Sequence, residues 1–213
     1  MLNNEKDAIQ KMCELCETLA EKTGLYENLE QEKKLSEVLK IELIFFLSYL
    51  TASDGVISWN ESRYIGDLFD VNLTPEKINS LIIDQDLYSE RFENSVPVVM
   101  QLFVAIDNAL YENGVEIDEE LGNGLIMLYT MLAKGLVESN GRTAETMEEG
   151  EQNDLNIFLS MLKRYIDDNT RKHHVDLMTN YSKRKKDGSG TWTWIPEDKP
   201  EENHSVKAPK KKR

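Results

Sequence analysis

This 213-residue sequence predicts an all-α fold: a single bundle of about seven to eight helices with a loose internal two-fold repeat and a disordered C-terminal tail. Every strong apolar period in the first 170 or so residues lies near 3.6, and none alternates as a half-buried strand would. Five prolines and 11 glycines leave few breaks, and the mix of 40% hydrophobic, 8% aromatic and 30% charged residues is that of a helical protein with one core. A helical domain over 1–182 and a basic, aromatic tail over 183–213 are the expected divisions.

The first amphipathic helix spans about 5–22, with Gly24 as its stop. Its stripe of Ile9, Met12, Cys13, Cys16 and Leu19 contains the chain's only two cysteines. No second pair with zinc spacing follows their Cys-x-x-Cys, so both are expected to pack as small buried hydrophobes. The next helix, about 32–52, is apolar nearly all round from Ile41 to Leu50 and is the expected centre of the fold. A short helix of about 59–69 follows, then Thr74-Pro75, an N-cap with proline at the first helical position.

A small helix is expected near 86–93. Pro97 opens a strong one carrying Val98, Val99, Leu102, Phe103, Ile106, Ala109 and Leu110. Asn113-Gly114 ends it, and Asp118 is the expected cap of a long helix over about 119–137, whose last turn Gly135 weakens. After a polar stretch from Glu138 to Glu151, the face made by Leu155, Phe158, Leu159, Leu162, Tyr165 and Ile166 closes the core. Val175, Leu177 and Met178 can extend a last helix, in which the adjacent His173 and His174 share no face.

Both halves therefore read as apolar helix, acidic turn, apolar helix. In the first turn, Ala52-Ser53-Asp54-Gly55-Val56-Ile57-Ser58-Trp59-Asn60-Glu61, Gly55 supplies the reversal and Ser58 with Glu61 forms a capping box. The spacing also matches the second half of an EF-hand loop, with Asp54 fifth, Gly55 sixth, Ser58 ninth and Glu61 twelfth. The first and third positions fall on Leu50 and Ala52, which offer no side-chain oxygen. A capping turn and a divergent site for a divalent cation such as calcium both remain open, the latter on Asp54, Ser58 and Glu61, with Glu138 from the second turn.

This turn, after its apolar helix, resembles the Asp-Gly-x-Ile/Val-x-x-x-Glu turn of the tellurite-resistance TerB-like family. The resemblance covers residues 43–69, with a weaker second copy over 123–166 in which Asn140 replaces the aspartate. It implies a small, acidic, all-helical protein that binds metal at helix-connecting acidic turns. It also implies service in a stress-response or membrane-associated complex beside chaperone-type partner domains, without enzymatic activity.

Charge narrows the partners. The net charge of −14 is uneven: residues 183–213 carry ten Lys and Arg against five acids, leaving 1–182 at −19. Such a body repels nucleic acid and anionic membrane and favours cations or basic protein surfaces. No apolar run spans a bilayer, and the acidic start lacks the pattern of a signal peptide, so a cytoplasmic protein is expected.

Within the tail, Trp192, Trp194 and Ile195 are the candidate partner-binding residues, because two tryptophans are costly to leave wet and are expected to dock, on this protein's own bundle or in a partner's groove. An ATPase, a chaperone or a secretion or defence component fits as partner. The chain has no Gly-rich phosphate loop, no Gly-x-Ser-x-Gly elbow and no His-Glu-x-x-His, and its three histidines lie in or near the tail. The expectation is thus a non-catalytic TerB-like adapter. An acidic metal-dependent hydrolase using Asp54, Glu61, Glu138 and Glu148 is the enzymatic alternative, and nucleic-acid association through the basic tail is the third.

Overall fold

The computed structural model describes residues 2–22, 34–53, 55–87, 94–114, 120–142 and 147–170, with the backbone of 183–186 and 192–195. The chain divides into two compact units, Met1–Thr170 and Arg171–Arg213. The first is all-α, with seven described helices: α1 Leu2–Lys22, α2 Leu35–Thr51, α3 Trp59–Phe69, α4 Pro75–Asp84, α5 Val98–Glu112, α6 Leu121–Ser139 and α7 Glu149–Asn169. Among the described residues, no helix is long and apolar enough to cross a membrane.

Helix α2 is the centre, as its all-round apolarity predicts: it packs against all six of the others, and Phe46 through Thr51 are buried without a break. Helix α6 is the second pillar, packing against α1, α2, α3, α5 and α7. The two pillars and α7 meet in an aromatic trio, with Phe46 to Tyr129 at 4.8 Å, Phe46 to Phe158 at 4.7 Å and Tyr129 to Phe158 at 5.1 Å between ring centroids. Cys13 and Cys16 are buried free thiols, and burial pushes Cys16 up to about 12, which makes it inert.

Local signals hold where the sequence is explicit. The Thr74 hydroxyl accepts from the Lys77 amide at 3.3 Å, with Pro75 at the first position of α4. Other helix starts are capped from a distance. Glu17 of α1 accepts from the Ser36 amide of α2 at 2.9 Å, and Glu42 of α2 accepts from the Val98 and Val99 amides of α5. Asp107 of α5 accepts from the Leu121 and Gly122 amides of α6 at 3.1 and 3.2 Å. Each carboxylate satisfies orphan donors of a helix that lies later in the chain.

Some expectations are revised. The buried face of α5 runs through Val99, Met100, Phe103, Val104, Ile106 and Asp107, while Val98, at the helix start, and Ala109, on the far side, are exposed. Gly135 is no mere weak point of α6. A Cβ there would lie 1.9 Å from Glu5 Oε1 and 2.2 Å from the Tyr64 hydroxyl oxygen, so its lack of a side chain lets α1 and α3 close on α6. The helix expected near 86–93 lies largely outside the described residues, as do Asp118, His173, His174 and the extension at 175–178.

In the second unit, Lys183–Lys186 and Trp192–Ile195 pair as antiparallel strands, with Arg184 opposite Trp194 and Lys186 opposite Trp192. The sequence predicts no regular structure anywhere in 183–213, and outside these two strands the tail lies beyond the described residues.

Candidate functional site

The two acidic turns, 85 or so residues apart in sequence, meet where α2 and α6 end and α3 and α7 begin. Gly55 and Gly141 take φ of 79° and 73°, the left-handed backbone each reversal needs. Gly150 sits against the first turn so closely that a Cβ would lie 2.9 Å from the Ser53 carbonyl oxygen.

The capping box predicted at Ser58 and Glu61 is present: the Glu61 amide donates to Ser58 Oγ at 3.1 Å, and the Ser58 amide donates to Glu61 Oε2 at 2.8 Å. It is only part of a larger ring. Ser58 Oγ donates to Asn140 Oδ1 at 2.9 Å, and Asn140 Nδ2 donates to Glu61 Oε1 at 2.8 Å. A carboxylate only accepts, so this sense of the Asn140 amide is the one that satisfies every member. The departure at 140 has a physical reason here, because an aspartate would set a second carboxylate against Glu61.

The second turn mirrors the first. Glu151 receives the Glu148 amide at 3.0 Å, and Arg142 clamps Glu151 with two bonds of 3.1 and 3.2 Å. The same guanidinium reaches Glu148 at 2.8 Å and approaches Glu61 to 4.0 Å. Glu61 and Glu151 are almost wholly buried, whereas Glu148 is half-exposed. Burial pushes the Glu151 carboxyl up from its ordinary range, opposed by the Glu148 amide and Arg142.

No protein-family model, curated protein or solved structure matches this chain. The resemblance of the first turn to the TerB-like pattern therefore rests on the residues themselves.

The four residues singled out for metal do not share one site. Asp54 lies outside the described residues. Ser58 and Glu61 are together and bonded to each other's amides and to Asn140, with Arg142 at the edge of their ring. Glu138, near the end of α6 and two residues before Asn140, lines a different cleft with Glu5 and Tyr64. Among the described residues, no group of three His, Cys, Asp or Glu side chains is placed to hold a metal ion. Among the described residues of the junction, Glu61 and Glu151 each accept a backbone amide, and the Arg142 guanidinium lies beside both carboxylates. Of Glu148, the remaining hydrolase candidate, the nearest cation is Arg142.

Sequence reasoning missed three features of this end of the molecule. One is Arg142, whose partners are visible only once the turns meet. Another is Trp59, 65% exposed at the first position of α3 with Val56, 66% exposed, just before it. The third is Glu5, buried at 3% exposure under Gly135. Burial raises its carboxyl, while the Tyr64 hydroxyl and the chain's α-amino charge pull it down and Glu138 raises it again. The side chains of Trp192, Trp194 and Ile195 lie outside the described residues, although their backbone is extended.

Proposed function

We propose that this chain is a non-catalytic, TerB-like adapter whose acidic turn junction is a docking platform for a basic, partly apolar segment of a protein partner. The observation that carries the reading is Trp59, 65% exposed beside a buried carboxylate–guanidinium network. An exposed tryptophan on a rigid support is the residue type that dominates binding energy at interfaces, and acidic surroundings steer a basic partner onto it. Of the hydrolase candidates, Glu61 and Glu148 are engaged in holding the two turns together, which favours a structural role over acid–base work for this pair. In this reading the tail, with Trp192 and Trp194, is a second contact to the same partner, of the ATPase, chaperone or secretion or defence class.

The test is quantitative capture of partners by the full chain, by Trp59→Ala and by a chain lacking 183–213. A partner retained by the wild type and weakened by about tenfold or more in Trp59→Ala supports the platform. Capture unaffected by Trp59→Ala removes it. The divalent-ion part of the TerB-like reading is tested separately: calcium should raise the melting temperature of Arg142→Ala more than that of wild type, because the guanidinium already pairs with the junction's carboxylates. An equal rise in wild type places metal elsewhere.

A further inference from the structure

A cleft of about 370 Å³ opens between α1, α3 and α6, lined by Leu2, Glu5, Arg63, Tyr64, Gly135 and Glu138 among others. Glu5 is a first-turn residue of α1, only 3% exposed, and its Oε2 has no hydrogen-bond partner among the described residues. A buried carboxylate oxygen left bare is costly, and native proteins hold few of them without a use. Nearby cations are already matched with other acids: Lys6 bonds Asp70 at 2.8 Å, and Arg63 lies 3.5 Å from Asp67. Among the described residues, neither Glu5 nor Glu138 forms an ion pair, so the cleft holds two carboxyl groups of like sign, with the α-amino charge acting on Glu5 from nearby.

We propose that this cleft binds an alkylammonium group, its N–H donors meeting Glu5 and Glu138 and its carbon chain lying on Leu2 and the Tyr64 ring. Of the carboxylates lining the cleft, Asp67 lies 3.5 Å from Arg63; the two that remain, Glu5 and Glu138, suit an ammonium, which needs a few directed acceptors, better than calcium, which needs six or more oxygens. The walls also carry apolar surface, which a bare ion does not use. Gly135 is what makes the arrangement possible, since any side chain there displaces Glu5 and Tyr64. The site is separate from the Arg142 junction and does not depend on the adapter reading. The ammonium can come from a free diamine or from a lysine side chain of another protein.

The test is an amide-resolved NMR titration of the full chain with 1,5-diaminopentane, and in a second arm with Nα-acetyl-lysine methylamide. Saturable shifts at Gly135, Glu138 and Ser139 are expected with the diamine, weakened about tenfold or more by Glu138→Gln and by Glu5→Gln but not by the distant Glu21→Gln. Binding of both probes points to a lysine side chain as the natural source, and binding of the diamine alone to a free amine. Glu138 is partly exposed and caps nothing, so Glu138→Gln stays informative if Glu5→Gln fails to fold. Equal shifts with tetramethylammonium, which has no N–H, insensitivity to Glu138→Gln, or stronger shifts of the same amides with magnesium chloride would each overturn the proposal.

Discussion

Gly135→Ala should destabilise this protein, against the usual trend for a helix interior, where alanine is favoured over glycine by about 1 kcal/mol. The new Cβ would lie 1.9 Å from Glu5 Oε1, 2.9 Å from Glu5 Cδ and 2.2 Å from the Tyr64 hydroxyl oxygen. Neither group yields freely: Glu5 is 3% and Tyr64 8% exposed, and the tyrosine hydroxyl also donates to the Leu132 carbonyl at 3.2 Å. Overpacking of a filled core costs roughly 1–3 kcal/mol, and disturbing the tyrosine bond adds about 1 kcal/mol. After the intrinsic gain from alanine, the net loss is about 2 kcal/mol, or a melting temperature lower by about 4–8 °C in a domain of this size. The decisive assay is urea unfolding of the full chain followed by circular dichroism, run in wild type and in a Glu5→Ala, Tyr64→Phe background. There the obstructing atoms are gone, so Gly135→Ala should become neutral or stabilising, giving a coupling of about 2–3 kcal/mol. If Gly135→Ala leaves the wild-type midpoint unchanged or raises it, the close approach of α1 and α3 to α6 is not as described.

Burial pushes the Glu42 carboxyl up to about 7 against two amide bonds that lower it, so the folded state holds a proton that the unfolded chain gives up near 4.5. Stability from this group is therefore full below about 4.5 and falls as pH rises through about 7, by roughly 3 kcal/mol in all, and the pH slope of the urea midpoint should flatten in Glu42→Gln. Asn140→Asp should cost about 1–3 kcal/mol at neutral pH, because it replaces a donor to Glu61 with a like charge. Acidification toward pH 4 should narrow the gap between this variant and wild type, and a gap independent of pH would refute the ring.

The helices, the central place of α2 and two local caps were legible because each depends on residues within a few positions of one another. The Ser58 and Glu61 capping box and the Thr74-Pro75 start are of this kind. What escaped was made by contacts between distant segments. Arg142 lies only nine residues from Glu151, yet its approach to Glu61 spans the two halves, and Asn140 joins residues 79 and 82 positions away. One class of miss had a signal in the chain. Glu5 is four residues before Ile9, and Asp107 four after Phe103, so each acid falls on an apolar stripe, where a charged residue is a helix cap or a site rather than a solvated face.

The cross-helix caps run in one direction along the chain, with α1 capping α2, α2 capping α5 and α5 capping α6. A polypeptide emerging from the ribosome would thus always have made the acceptor before the amides that need it. Each new helix could start on a waiting carboxylate, and the costly nucleation of a first turn would be eased in order of synthesis. Run in reverse, the same dependence is a weakness: loss of α1 uncaps α2, and the disturbance passes through Glu42 and Asp107 to the start of α6. Trimming the amino end should then collapse the bundle cooperatively rather than fray one helix.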